Sequence, residues 1–116
     1  VNIDNLNKLI SFFEQLPAEK VYLACWRYDS SNDITLVSDD KLLNDCNTCG
    51  CVVGWLPVIT GIPVSKYRFK QLEDFLDIDS DAAYNIARRN YSTKISDKEV
   101  VLERLQKLLD HSDSVL

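Results

Sequence analysis

The sequence predicts a mainly α, single-domain fold of four to five helices, with room for one small β-hairpin. Three observations lead there. The chain has 116 residues, a length at which one hydrophobic core is the rule. Apolar side chains recur at three- and four-residue steps in several separate segments. The composition, 46% apolar and 27% charged, is that of a folded globule with enough aliphatic and aromatic surface to offset ordering entropy. No repeat, linker or low-complexity tract divides the chain, so one domain is expected over 1–116, with a frayed tail over 110–116. No uncharged apolar run approaches the ~18 residues of a membrane span.

The first predicted element is a helix over Asn2–Leu16. Leu6, Leu9, Ile10, Phe13 and Leu16 share one face, Asp4 or Asn5 can cap the start, and Pro17 limits the end. Lys20–Tyr28 (KVYLACWRY) is a short apolar run, either a strand or a buried turn. Asp29–Asp33 is a turn cluster, and Ile34–Val37 a second short strand that could pair with the first. Ser38–Thr48 reads as a polar loop with one helical turn. Cys49–Thr60, the most apolar segment, reads as a buried helix starting near Thr48 or Cys49 and stopped by Gly61, with Pro57 inside it a warning of a kink. Tyr67–Leu76 carries Phe69, Leu72, Phe75 and Leu76 at helical spacing. Another helix follows, capped by Asp79 or Ser80 and running to about Asn90. Ser96 and Glu99 form a capping box for the last, Asp97 to about Asp110.

Thirteen basic against eighteen acidic residues leave a net charge of −5. That argues against a general nucleic-acid binder, which needs a concentrated basic surface. The acids Asp29, Asp33, Asp39, Asp40 and Asp45 crowd one stretch, a solvated face or a dock for a basic partner. Trp26, Arg27 and Tyr28 together could form a stacking or protein-docking platform. Arg88, Arg89 and Lys94 near Tyr91 make a small basic corner. The enzyme classes find little: one histidine, His111, near a fraying end, and no Gly-rich phosphate loop, G-x-S-x-G or H-E-x-x-H.

The cysteines are the most distinctive feature. Cys46, Cys49 and Cys51 form C-x2-C-x-C, and Cys25 lies upstream. Such thiols are small buried apolar groups, ligands of a zinc completed by Cys25 or His111, or a redox pair. No secretory signal opens the chain, so a reducing cytoplasm is expected, with no cofactor and zinc as the alternative.

Cys46, Thr48, Cys51, Gly54 and Trp55 stand as C-x-T-x-x-C-x-x-G-W. This resembles a motif, roughly C-G-T-x-x-C-x-x-G-[WH], of small uncharacterised bacteriophage and bacterial proteins. The resemblance extends loosely from Trp26 to Leu109, but only the Cys-to-Trp block is specific. Asn47 replaces the usual glycine, Cys49 is additional and Pro57 interrupts the segment. The family carries no agreed activity to transfer; the resemblance implies a phage accessory protein. Physically, a glycine within a helix costs about 1 kcal/mol against alanine, a cost suited to a close crossing, with Trp55 as core anchor.

The function expected from these residues is a small non-enzymatic interaction protein that binds a host or viral protein, for example as an inhibitor of host defence. The alternatives are a metal or redox module on Cys25, Cys46, Cys49, Cys51 and His111, and a nucleotide or small-ligand binder using Trp26, Tyr91 and Arg88.

Overall fold

The computed structural model describes residues 1–29, 37–45, 47–63 and 68–114. Among these residues are six α-helices and one two-stranded antiparallel sheet around a single core. The Cα radius of gyration is 13.7 Å, close to the ~13 Å of one compact domain of this length. The predicted mainly α, single-domain class is the observed one. Among the described residues no helix is long and apolar enough to cross a membrane.

Helix α1 (Ile3–Gln15) buries Leu6, Leu9 and Phe13 on one stripe. Its cap is Asn2, upstream of the Asp4 or Asn5 read from sequence: Asn2 Oδ1 accepts from the Asn5 N–H at 3.0 Å. Asn2 N–H and Asn5 Nδ2 also donate to the carbonyls of Leu76 and Phe75 at 2.7 and 2.8 Å. The start of α1 thus satisfies carbonyls at the end of α4 (Arg68–Leu76). A single 3-10 turn, Ala18–Lys20, follows Pro17.

The sheet differs from the predicted hairpin. Strand β1 is Arg27–Asp29, and its partner β2 is Thr48–Gly50, with Arg27 opposite Gly50, Tyr28 opposite Cys49 and Asp29 opposite Thr48. Of the predicted second strand, Ile34–Leu36 lie outside the described residues, as do Ser30–Asp33 of the turn cluster; Val37 is buried without strand structure. Helix α2 (Asp39–Asn44) is the helical turn expected in the polar loop, capped by Ser38. Because Thr48–Gly50 pairs with β1, helix α3 begins at Val52 rather than near Thr48. Three-residue strands carry too little alternation to be read from sequence.

Helix α3 (Val52–Thr60) accommodates Pro57, which cannot donate to the Val53 carbonyl, and ends on Gly61 in the left-handed region (φ 73°), whose N–H donates to the Pro57 carbonyl at 2.8 Å. Helix α5 (Ser80–Ala87) is capped by Asp79 and stops short of Asn90. The reason lies in α6 (Asp97–Ser114): Arg104 donates to the carbonyls of Ile86, Arg88 and Arg89 at 3.1, 2.5 and 3.2 Å. That satisfies carbonyls at the helix end which a further turn would otherwise take. Ser96 Oγ accepts from the Glu99 N–H at 3.2 Å, as the capping box requires. α6 continues through Ser114, past the predicted end near Asp110.

One crossing organises the interior. The segment Trp26–Arg27 passes directly over the first turn of α3, where the Trp26 carbonyl accepts from the Cys51 N–H at 3.2 Å. A Cβ on Gly54 would lie 1.9 Å from the Trp26 carbonyl oxygen, and one on Gly50 2.9 Å from it. Helix propensity favours alanine at Gly54 by about 1 kcal/mol, whereas the crossing forbids it. We expect Gly54→Ala to destabilise the fold by about 3 kcal/mol or more, with Gly50→Ala costing less, read from urea midpoints. An unchanged or raised midpoint for Gly54→Ala would show that the strand does not press on α3.

Candidate functional site

The three residues of the predicted platform have separate fates. Arg27 is 2% exposed. Its Nε donates to the Gly54 carbonyl at 2.9 Å, Nη1 to the Val37 carbonyl at 2.8 Å, and Nη2 pairs with Asp39 at 2.6 Å. Arg27 is therefore a buried clamp rather than a docking residue, because each of its donor nitrogens is taken by the protein itself. Tyr28 points outward, 40% exposed, against Tyr22, 39% exposed, with ring centroids 5.7 Å apart. Trp26 is half-buried and lies under two guanidinium groups, Arg27 at 4.7 Å and Arg68 at 4.0 Å from the ring centroid.

Two further buried polar groups support this region. Lys20, 7% exposed, sends Nζ to the Asp45 carbonyl at 2.7 Å and to Thr48 Oγ1 at 3.0 Å. Asp29 is paired with Lys41 at 2.6 Å, and that contact raises the Lys41 pKa. Thr48 Oγ1 lies within hydrogen-bond distance of the carbonyls of Lys41, Leu42 and Asp45, the nearest being Asp45 at 2.7 Å. Its one proton serves one of these α2-end acceptors at a time. Trp55 is fully buried, and its indole N–H donates to the Lys20 carbonyl at 2.9 Å. The Thr, Gly and Trp of the sequence motif therefore each serve the fold. Thr48 ties the end of α2, Gly54 admits the Trp26 strand, and Trp55 anchors the core.

Cys25, Cys49 and Cys51 carry no disulfide; Cys46 lies outside the described residues. Cys25 Sγ rests on the Arg27 carbonyl at 3.5 Å. Cys49 stands beside Tyr28 across the sheet, and Cys51 is buried at the start of α3. Burial pushes both the Cys49 and Cys51 thiols up, Lys20 partly opposing this at Cys49. His111 lies on the exposed end of α6. Among the described residues no three His, Cys, Asp or Glu side chains are placed to hold a metal ion.

A cavity of about 350 Å³ opens beside Trp26. Its lining includes Cys25 and Trp26, Cys51 and Val53 at the start of α3, and Arg68 and Phe69 at the start of α4. Arg88 and Tyr91, grouped with Trp26 in the sequence reading, do not line it, and neither does Arg89. Arg88 and Arg89 instead give their carbonyls to Arg104, and Tyr91 stands 81% exposed. Sequence reasoning misses Arg68 because nothing local distinguishes it from any solvated helix-end arginine.

The thiol environment has a pH consequence. A thiol whose folded pKa is raised keeps its proton in the native state where the unfolded chain would lose it. It therefore contributes stability below the ordinary thiol value of 9.0 and loses that contribution as pH rises through the folded value. We expect the urea midpoint to fall above pH 9 in the wild type and to fall less in Cys51→Ala. Cys51 should also resist alkylation at pH 8 until denaturant is added. Fast native alkylation of Cys51 would contradict this burial. No protein-family model, curated protein or solved structure matches the chain.

Proposed function

We propose that this protein is a non-enzymatic interaction module that docks on a protein partner, host or viral, through the face where Tyr22, beside the sheet, meets Tyr28 of β1. The observation that carries the reading is that tilted, outward-facing tyrosine pair. Tyrosine gives a large amphipathic contact area at the cost of few rotatable bonds, which is why it concentrates at interfaces. The pair is also held in place. The Tyr22 N–H donates to the Gly50 carbonyl at 2.9 Å, and Tyr28 is fixed by its register with Cys49. Beneath them Arg27 and Lys20 lock the backbone, so little ordering entropy remains to be lost on docking. The net charge of −5 favours a partner with a basic surface. The C-x-T-x-x-C-x-x-G-W resemblance supports a phage accessory protein acting on a host protein, inhibition of a defence system being the specific version.

Cross-linking of purified protein in bacterial lysate, compared between variants, tests the reading. A partner captured by wild type should be lost in Tyr22→Ser/Tyr28→Ser and kept in Tyr84→Ser, a control on the exposed face of α5. Affinity should weaken at least about tenfold for the double variant with an unchanged melting temperature. Equal capture by the double variant would move the interface elsewhere, and no specific partner in any lysate would overturn the reading.

A further inference from the structure

The cavity beside Trp26 has a chemistry that the docking face does not use. Two of its lining residues, Trp26 and Arg68, each carry a nitrogen donor, Nε1 and Nε, that is cut off from water and has no hydrogen-bond partner among the described residues. An orphaned buried donor is costly, and two in the lining of one cavity are uncommon. Arg68 also has no carboxylate partner among the described residues, where its electrostatic contact is the Trp26 ring face. Arg27, by contrast, also lies over that ring but has every donor nitrogen engaged. The remainder of the wall is apolar or weakly polar, contributed by Leu23, Val53, Phe69 and the thiols of Cys25 and Cys51.

We infer that this cavity is a binding site for a small carboxylic acid with an apolar body. A small shift of the Arg68 guanidinium on the Trp26 ring would uncover these donors, so that the carboxylate accepts from Arg68 and from the Trp26 indole N–H, and the body would lie against Val53 and Phe69. The charge count selects the class. Among the described residues Arg68 is the one cation of the wall, so a single negative charge is neutralised, whereas a phosphate dianion would keep an uncompensated charge against apolar surface. The guanidinium fork suits the planar two-oxygen group of a carboxylate. At about 350 Å³ the space is at the small end of ligand pockets. The ligand could come as a free acid or as the carboxyl end of a peptide; both present the same group to Arg68. The site is separate from the tyrosine face, so it stands or falls independently of the docking reading.

The test uses nitrogen–proton NMR of the intact protein, which has two tryptophans and therefore two indole N–H signals. Trp26→Phe identifies which is which. Trp55 is the internal control, because its N–H is already bonded to the Lys20 carbonyl. Benzoate and hexanoate represent free acids, and N-acetyl-leucine a peptide end. Hexylamine, benzamide and inorganic phosphate are the comparison probes. We expect the acids to move the Trp26 signal downfield and leave Trp55 in place, the source being whichever acid acts at the lowest concentration. Arg68→Leu should abolish the shift, and Arg68→Lys, which keeps the charge but loses the fork, should weaken binding about tenfold. Arg68→Lys also serves should the leucine variant fail to fold. No movement of the Trp26 signal at roughly 10 mM acid, equal movement by benzamide or phosphate, or undiminished binding in Arg68→Lys would overturn the proposal.

Discussion

A guanidinium ion buried among carbonyls holds the centre of this molecule. Arg27 reaches from the two-stranded sheet to the Gly54 carbonyl on α3, to the Val37 carbonyl ahead of α2, and to Asp39 in the first turn of α2. Burying such a charge costs several kcal/mol unless each donor finds an acceptor. Here each of the three guanidinium nitrogens has one, so the segments cannot separate without leaving the cation unpaired. Gly54 makes the arrangement sterically possible by letting the Trp26 carbonyl lie against α3. Lys20 acts in parallel one step away, joining the 3-10 turn to Asp45, Thr48 and the indole of Trp55.

The two proposed surfaces follow from that clamp. Consecutive residues of the crossing segment face different ways: Trp26 into the cavity lining, Arg27 into the core, Tyr28 outward. The buried member fixes the backbone from which the other two project. A binding surface on a three-residue strand would otherwise be mobile, since so short a sheet has little stability of its own. The clamp thus supplies the rigidity that docking at Tyr22 and Tyr28 requires, and it holds the indole ring that Arg68 covers.

Helices are legible in the sequence because their signals are local and redundant. The apolar stripe of α1, the Asp79 cap of α5, the Ser96 and Glu99 pairing at α6 and the Gly61 stop of α3 each lie within a few residues of what they determine. The features that escape a sequence reading depend on distant partners. β2 pairs with β1 across nineteen positions of chain, as Asp29 opposite Thr48 shows. α5 ends early because Arg104, in another helix, takes its carbonyls. At the candidate site Trp26 and Tyr28 stand out as aromatics, but no sequence signal separates a buried arginine such as Arg27 from an exposed one such as Arg89. Arg68 becomes notable only when folding places it over Trp26. The cysteine cluster is conspicuous by its spacing, yet Cys25 lies ahead of β1, Cys49 in β2 and Cys51 at the start of α3, and among the described residues they form no metal-holding group.

The burial of Arg27 can be observed directly through exchange of its Nε proton with water. In guanidinium-detected NMR of the five arginines, the Arg27 Nε–H should persist far longer than those of Arg88 and Arg89 and should disappear only with global unfolding. An Arg27 signal exchanging as fast as those two exposed arginines would show that the clamp is not closed, and the account of the crossing strand would fail with it.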